Sequence, residues 1–107
     1  MPRKKYKVEY LPIAERDLAE ILAYIAIELA APQAAANLLE KIERAVKSLD
    51  TFPYAYSVYR SPELRTAPFE FRALVVSSYL VFYYITENTV TIARIAYSGR
   101  DMRNVLT

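Results

Sequence analysis

A chain of 107 residues, 54% apolar and 24% charged, has room for one compact domain spanning residues 1–107 and not for two. It has no cysteine and no histidine, which excludes disulfide frameworks and thiolate metal sites and removes the usual general base near neutral pH. The net charge of +2 is mild but uneven, with basic ends (Arg3, Lys4, Lys5, Lys7; Arg94, Arg100, Arg103) around an acidic segment holding Glu15, Asp17, Glu20 and Glu28.

Residues 6–11 alternate Tyr6, Val8 and Tyr10 with Lys7, Glu9 and Leu11, the period of a strand with one buried face. Pro12 then suits the first position of a helix, and Leu18, Ile21, Leu22, Ile25 and Leu29 form an apolar stripe to about Ala31. Pro32 interrupts that helix and starts a second, with Ala35, Leu38, Leu39, Ile42, Val46 and Leu49 along one side. From Asp50 to about Pro68 the pattern dissolves into a loop expected to pack its own Phe52, Tyr54, Tyr56 and Tyr59. Three strands follow, over residues 69–76, 79–85 and 89–97. Ser77-Ser78 and Glu87-Asn88 are the turns, with Asn88 suited to positive φ and the serine pair lacking a strong turn residue. Gly99 is expected to use positive φ in a tight exit, and residues 100–106 to form a short helix that lays Val105 and Leu106 on a surface.

The predicted fold is α+β, of order β-α-α-β-β-β. Chain parity suggests an antiparallel four-stranded sheet with the helical hairpin on one face. Two helices cover only that face, yet Leu80, Phe82 and Tyr84 make the other apolar as well. Either the aromatic loop and C-terminal segment fold over it, or another chain does. No apolar run approaches the roughly 18 residues of a membrane helix, and MPRKKYKVEY lacks the apolar core of a secretory signal, so a soluble cytoplasmic protein is expected. The carboxylates show no ligand spacing, so neither a metal nor a cofactor is expected.

In this order, YKVEYLPIAERDLAEILAYIA, LLEKIERAVKSLDTFP, FRALVVSSYLVFYYI and VTIARIAYSGRD resemble the RelE/ParE superfamily of toxins from type II toxin-antitoxin modules, over almost the whole chain. The resemblance implies a growth-inhibiting toxin neutralised by a cognate antitoxin wrapped along its surface. It also implies one of two targets. RelE-like members are ribosome-dependent nucleases that cut messenger RNA, with basic residues holding the scissile phosphate. Against that pattern, Leu80 stands where those nucleases place an arginine, the terminal tyrosine position falls near Leu106, and the histidine of one branch is absent. Arg72, Arg94, Tyr97 and Arg100 are the candidate catalytic set that is left. Each has a structural role open to it: Arg72 pairing with Glu70 or Glu87, Arg94 lying over the sheet edge, Tyr97 in the core.

ParE-like members instead block DNA gyrase and need no hydrolytic site. A surface of aromatic and arginine residues without an acid-base pair suits a binder better, because such residues dominate interface hot spots. The expected target- or antitoxin-binding residues are Leu80, Phe82, Tyr84, Arg100 and Arg103. A gyrase-binding toxin is therefore the leading expectation, with a ribosome-dependent endonuclease or a degenerate partner-binding module as alternatives.

Overall fold

The computed structural model describes residues 4–106. Strand β1 (Lys7–Tyr10) leads through Leu11, held extended, into helix α1 (Pro12–Ala23), which starts on its proline and continues as a π-helical turn, Tyr24–Glu28. The helical run ends where Ala30 takes φ 50° and the Ala31 N–H donates to the Ile25 carbonyl. Helix α2 (Pro32–Lys47) follows, extended by a 3₁₀ turn at Ser48–Asp50. A long connection with a 3₁₀ turn at Pro62–Leu64 leads to β2 (Arg72–Val76), β3 (Tyr79–Thr86) and β4 (Thr89–Tyr97), and a last 3₁₀ turn spans Met102–Asn104. The expected 100–106 helix is thus a single short turn, and the first strand of the meander starts at Arg72 rather than Phe69.

The four strands form one mixed sheet in the order β1-β4-β3-β2. The antiparallel expectation holds for β2, β3 and β4 and fails for β1, which pairs with β4 in parallel, Val8 opposite Val90. Parity assumed that α1 reverses the chain. Instead α1 continues the heading of β1, with Leu11 bonded to Ile92 and Asp17 to Ile95, and α2 makes the return, ending where the Tyr6 N–H meets the Asp50 carbonyl at 2.7 Å. The hairpin is therefore one long crossover, the kind of connection parallel strands require. Residues 51–71 then carry the chain to the far edge. The two edge strands share a single row, Tyr10, Ile92, Tyr83 and Arg72.

Turn chemistry also differs from expectation. Ser77 (φ 53°) and Glu87 (φ 44°) take the left-handed positions, and Gly99 does not have positive φ. Gly99 leaves room for the Tyr97 ring instead, since a Cβ there would lie 2.4 Å from a ring carbon and the ring would have to shift.

The main core lies between sheet and helices: Ala14, Leu38, Ile42, Val46 and Leu49 meet Leu74, Val76, Val81, Tyr83, Val90, Ile92 and Ile95. Ile92 and Ile95 share a face because β4 bulges at Ala93, where Phe82 pairs with Arg94 while Tyr83 pairs with Ile92. On the other face Tyr59, Met102, Val105 and Leu106 close over Phe82, leaving it fully buried. Of the two coverings considered, the chain's own loop and tail are the ones present. Among the described residues, no buried side-chain nitrogen or oxygen lacks a hydrogen-bond partner.

Candidate functional site

The four residues considered for catalysis fall into two kinds. Arg72 and Arg94 are half-buried and spoken for. At the start of β2, the Arg72 Nη1 donates to the Tyr56 carbonyl at 2.7 Å, and its guanidinium lies 5.0 Å from the Tyr54 ring centre. Glu70 is a distant ion partner at 3.8 Å. In the same row the buried Tyr83 hydroxyl donates to the Pro53 carbonyl at 2.7 Å, and burial pushes its pKa up to about 12. A phenol held so firmly protonated transfers a proton poorly near neutral pH.

Arg94 follows the bulge and does not lie over the sheet edge. Its Nε and Nη2 grip the Asp17 carboxylate at 2.8 and 3.1 Å, and its Nη1 donates to the Val105 carbonyl at 2.8 Å. Asp17 accepts a third bond, from the Ile95 amide, at 3.0 Å. The hydrogen bond to Asp17 raises the Arg94 pKa above its ordinary value. One buried ion pair thereby ties α1, β4 and the C-terminal segment together. Asp17 was not singled out from the sequence, although a carboxylate on the apolar side of a helix, between Ala14 and Ile21, was a visible signal.

Tyr97 and Arg100 are exposed. Tyr97, at 55% exposure, is not a core aromatic. Its ring meets Tyr79 edge to face, centroids 5.9 Å apart. Burial, and then the neighbouring Tyr97 and Tyr24, raise the Tyr79 phenol above its ordinary value. Tyr24, Leu29, Tyr79, Tyr97, Ile21 and Ile95 line a groove of about 540 Å³ between α1 and the end of the sheet, with Glu20 and Arg100 among its lining. From the sequence, Leu29 was read only as the end of the first helix's apolar stripe, and Tyr24 was not singled out. Of the expected binding residues, Leu80 and Tyr84 are half-buried, Phe82 is sealed, and Arg103 is paired with Asp101 at 2.6 Å. Tyr84 stacks on Phe69, centroids 3.8 Å apart, at the edge of a second apolar cavity of about 500 Å³ closed by Leu64, Val105 and Leu106. The catalytic candidates do not converge: Arg72 and Arg94 hold separate internal contacts, and neither lines the groove at Tyr97 and Arg100. Among the described residues no group of three acidic side chains converges to hold a metal ion, and no helix is long and apolar enough to cross a membrane.

A family model described as the ParE toxin of the type II toxin-antitoxin system parDE matches residues 8–102. The chain belongs to the ParE toxin family. Its fold is similar to a chain of the chromosomal ParDE toxin-antitoxin system from P. aeruginosa, with TM-score 0.68 and 19% identity, over 88% of this chain and 97% of that one. It is also similar to a chain of the RelBE2 toxin-antitoxin complex from Mycobacterium tuberculosis, with TM-score 0.58 and 22% identity, over 87% and 91% of the two chains. No curated protein sequence gives a significant match. The ParE-family match takes in β1 through β4, and therefore both the Asp17–Arg94 pair and the tyrosine groove.

Proposed function

We propose that this chain is a growth-inhibiting toxin that acts in the cytoplasm by binding DNA gyrase and is neutralised by a cognate antitoxin. The observation that carries this reading is the engagement of both strand arginines: Arg72 is bonded to the Tyr56 carbonyl and Arg94 to Asp17 and Val105. Arg94 is engaged at all three of its nitrogens and Arg72 is anchored through Nη1, which supports a structural role for both guanidinium groups. Tyr83, the buried phenol beside Arg72, is held protonated. Against this, the exposed large side chains include Tyr24, Leu29 and Tyr97, which suit recognition of a protein surface. Arg100, with the partly buried Leu80 and Tyr84, is our proposed contribution to the target or antitoxin contact. Arg103 adds to it through its pair with Asp101, and Phe82 supports the surface from below.

The test is induction of the chain alone in bacteria, followed by purified gyrase supercoiling with the toxin added. DNA breakage with an SOS response, and inhibited supercoiling at unchanged translation, are the expected results. Early translation arrest with cut transcripts would instead establish the ribosome-dependent endonuclease. Normal growth would favour a partner-binding module without toxicity.

A further inference from the structure

We propose that the pocket on the long connection between α2 and β2 binds a single strand of DNA, taking its phosphates on Arg60 and Arg65 and a base on Phe69. The choice of DNA rests on the gyrase reading above and deepens it. The pocket, of about 460 Å³, is built wholly from residues 58–71, with Arg60, Arg65, Phe69 and Glu70 in its wall. Its backbone is anchored. The Tyr59 amide donates to the Phe71 carbonyl at 2.8 Å, and the Tyr59 ring meets the buried Phe82 edge to face, centroids 5.0 Å apart. The 3₁₀ turn is closed by the Leu64 amide on the Ser61 carbonyl at 3.0 Å and the Arg65 amide on the Pro62 carbonyl at 3.2 Å. Arg60 and Arg65 are thus exposed cations carried on a fixed frame.

Charge and shape choose the ligand. The carboxylates of this connection and of the tail all have partners: Glu63 accepts from the Ser61 hydroxyl, Glu70 lies 3.8 Å from Arg72, and Asp101 lies 2.6 Å from Arg103. Arg60 and Arg65 make no ion pair among the described residues. Two guanidinium forks on one concave wall match the oxygens of phosphate groups. Phe69 adds what an acidic peptide does not use. Its ring is stacked on Tyr84, centroids 3.8 Å apart, and the residue remains 39% exposed, a supported flat surface for a base. Across the sheet, residues 12–50 hold seven carboxylates against four cations. The helix layer therefore repels a polyanion, and the face carrying the connection is the one turned toward it.

The test is fluorescence anisotropy of a labelled thymidine oligonucleotide titrated with the full chain over a range of salt concentrations. Arg60→Gln and Arg65→Gln are each expected to weaken binding and to lower the slope of log affinity against log salt by about 0.7, the loss of one phosphate contact. Phe69→Ala weakens it about tenfold with the slope unchanged, because stacking releases no counterion. Phe69→Tyr keeps the ring and the affinity. Glu70→Gln, which removes the opposing charge from the wall, tightens binding. The proposal is overturned if the wild-type chain fails to bind at low salt, or if the salt slope is unchanged in a folded Arg60→Gln/Arg65→Gln variant. Polyglutamate bound more tightly than the oligonucleotide would assign the pocket to an acidic protein, and a preference for RNA of matching sequence would assign it to another strand; either overturns it. Inorganic phosphate bound as well as the oligonucleotide leaves a bare anion site and also overturns it. Supercoiling by purified gyrase separates this site from the target reading. A chain that binds the strand and leaves gyrase uninhibited keeps the site and removes that reading, and inhibition of gyrase without binding of the strand does the reverse.

Discussion

The Asp17–Arg94 pair makes a sharp prediction about stability. Asp17→Ala leaves a guanidinium with its Nε and one terminal nitrogen facing an apolar gap, and strips the Ile95 amide of its acceptor. Both charged side chains are largely enclosed, at 10% and 16% exposure. Breaking one partner of such a pair costs about 3–5 kcal/mol, because the surviving charge stays desolvated and uncompensated. For a domain of this size each kcal/mol moves Tm by about 4–8 °C, so the drop should be on the order of 12–40 °C. Removing Arg44 from its exposed pair with Glu40 should cost less than about 0.5 kcal/mol. Replacing Asp17 and Arg94 together by Leu and Met should recover much of the loss, since that removes the orphaned charge. Urea denaturation followed by circular dichroism measures all three variants against the unaltered chain. A loss below about 1 kcal/mol for Asp17→Ala, or a double variant no better than the single, would refute the account of the pair as a buried, mutually dependent unit.

Tyr83→Phe removes the hydroxyl bonded to the Pro53 carbonyl and should cost about 1 kcal/mol, read from the same denaturation curves. Ser77→Gly relieves a left-handed residue in the β2–β3 turn and should raise Tm slightly, a gain of about 0.5–1 kcal/mol. Gly99→Ala should displace the Tyr97 ring at little cost in stability, because that residue is half exposed, again read from the denaturation curves. The Asp50 carboxyl is held below its ordinary pKa, first by the Thr51 hydroxyl and then by Lys5, as Asp101 is by Arg103. A depressed folded pKa gives stability that is present above the unfolded carboxylate value of about 3.9 and is lost as pH falls through the folded value. With no histidine to titrate, Tm should therefore stay flat from about pH 8 to pH 5.5 and decline below about pH 4, less steeply in Asp50→Asn.

The elements with a local periodic signature were legible in the sequence. The 89–97 strand is reproduced residue for residue, and α2 buries Ala35, Leu38, Ile42 and Val46 from its expected stripe. What depends on distant partners was not. The parallel seating of β1 follows from the heading of α1, which no stretch of residues announces. The Ala93 bulge leaves the alternation of β4 looking ordinary while it brings Ile92 and Ile95 to one face. The candidate site failed in the same way. Arg94 drew attention as a free cation because its carboxylate partner lies 77 residues earlier in the chain. Leu29 passed for core because a stripe records which side of a helix is apolar, and nothing about how far the sheet extends beneath it, and Tyr24 lay outside that stripe. Leu80 was weighed only against the pattern the resemblance implies, on the ground that its side chain cannot hold a phosphate wherever it sits.

The parallel pairing of β1 with β4 also governs when the molecule comes into being. Val8 emerges early in synthesis, but its partner Val90 is made more than eighty residues later. Tyr59 and Phe82 likewise wait for Val105 to be covered. A nascent chain can assemble its helices, yet it has no completed sheet until β4 has been made. A product that stops short of β4 is thereby denied both the groove and the fold around it.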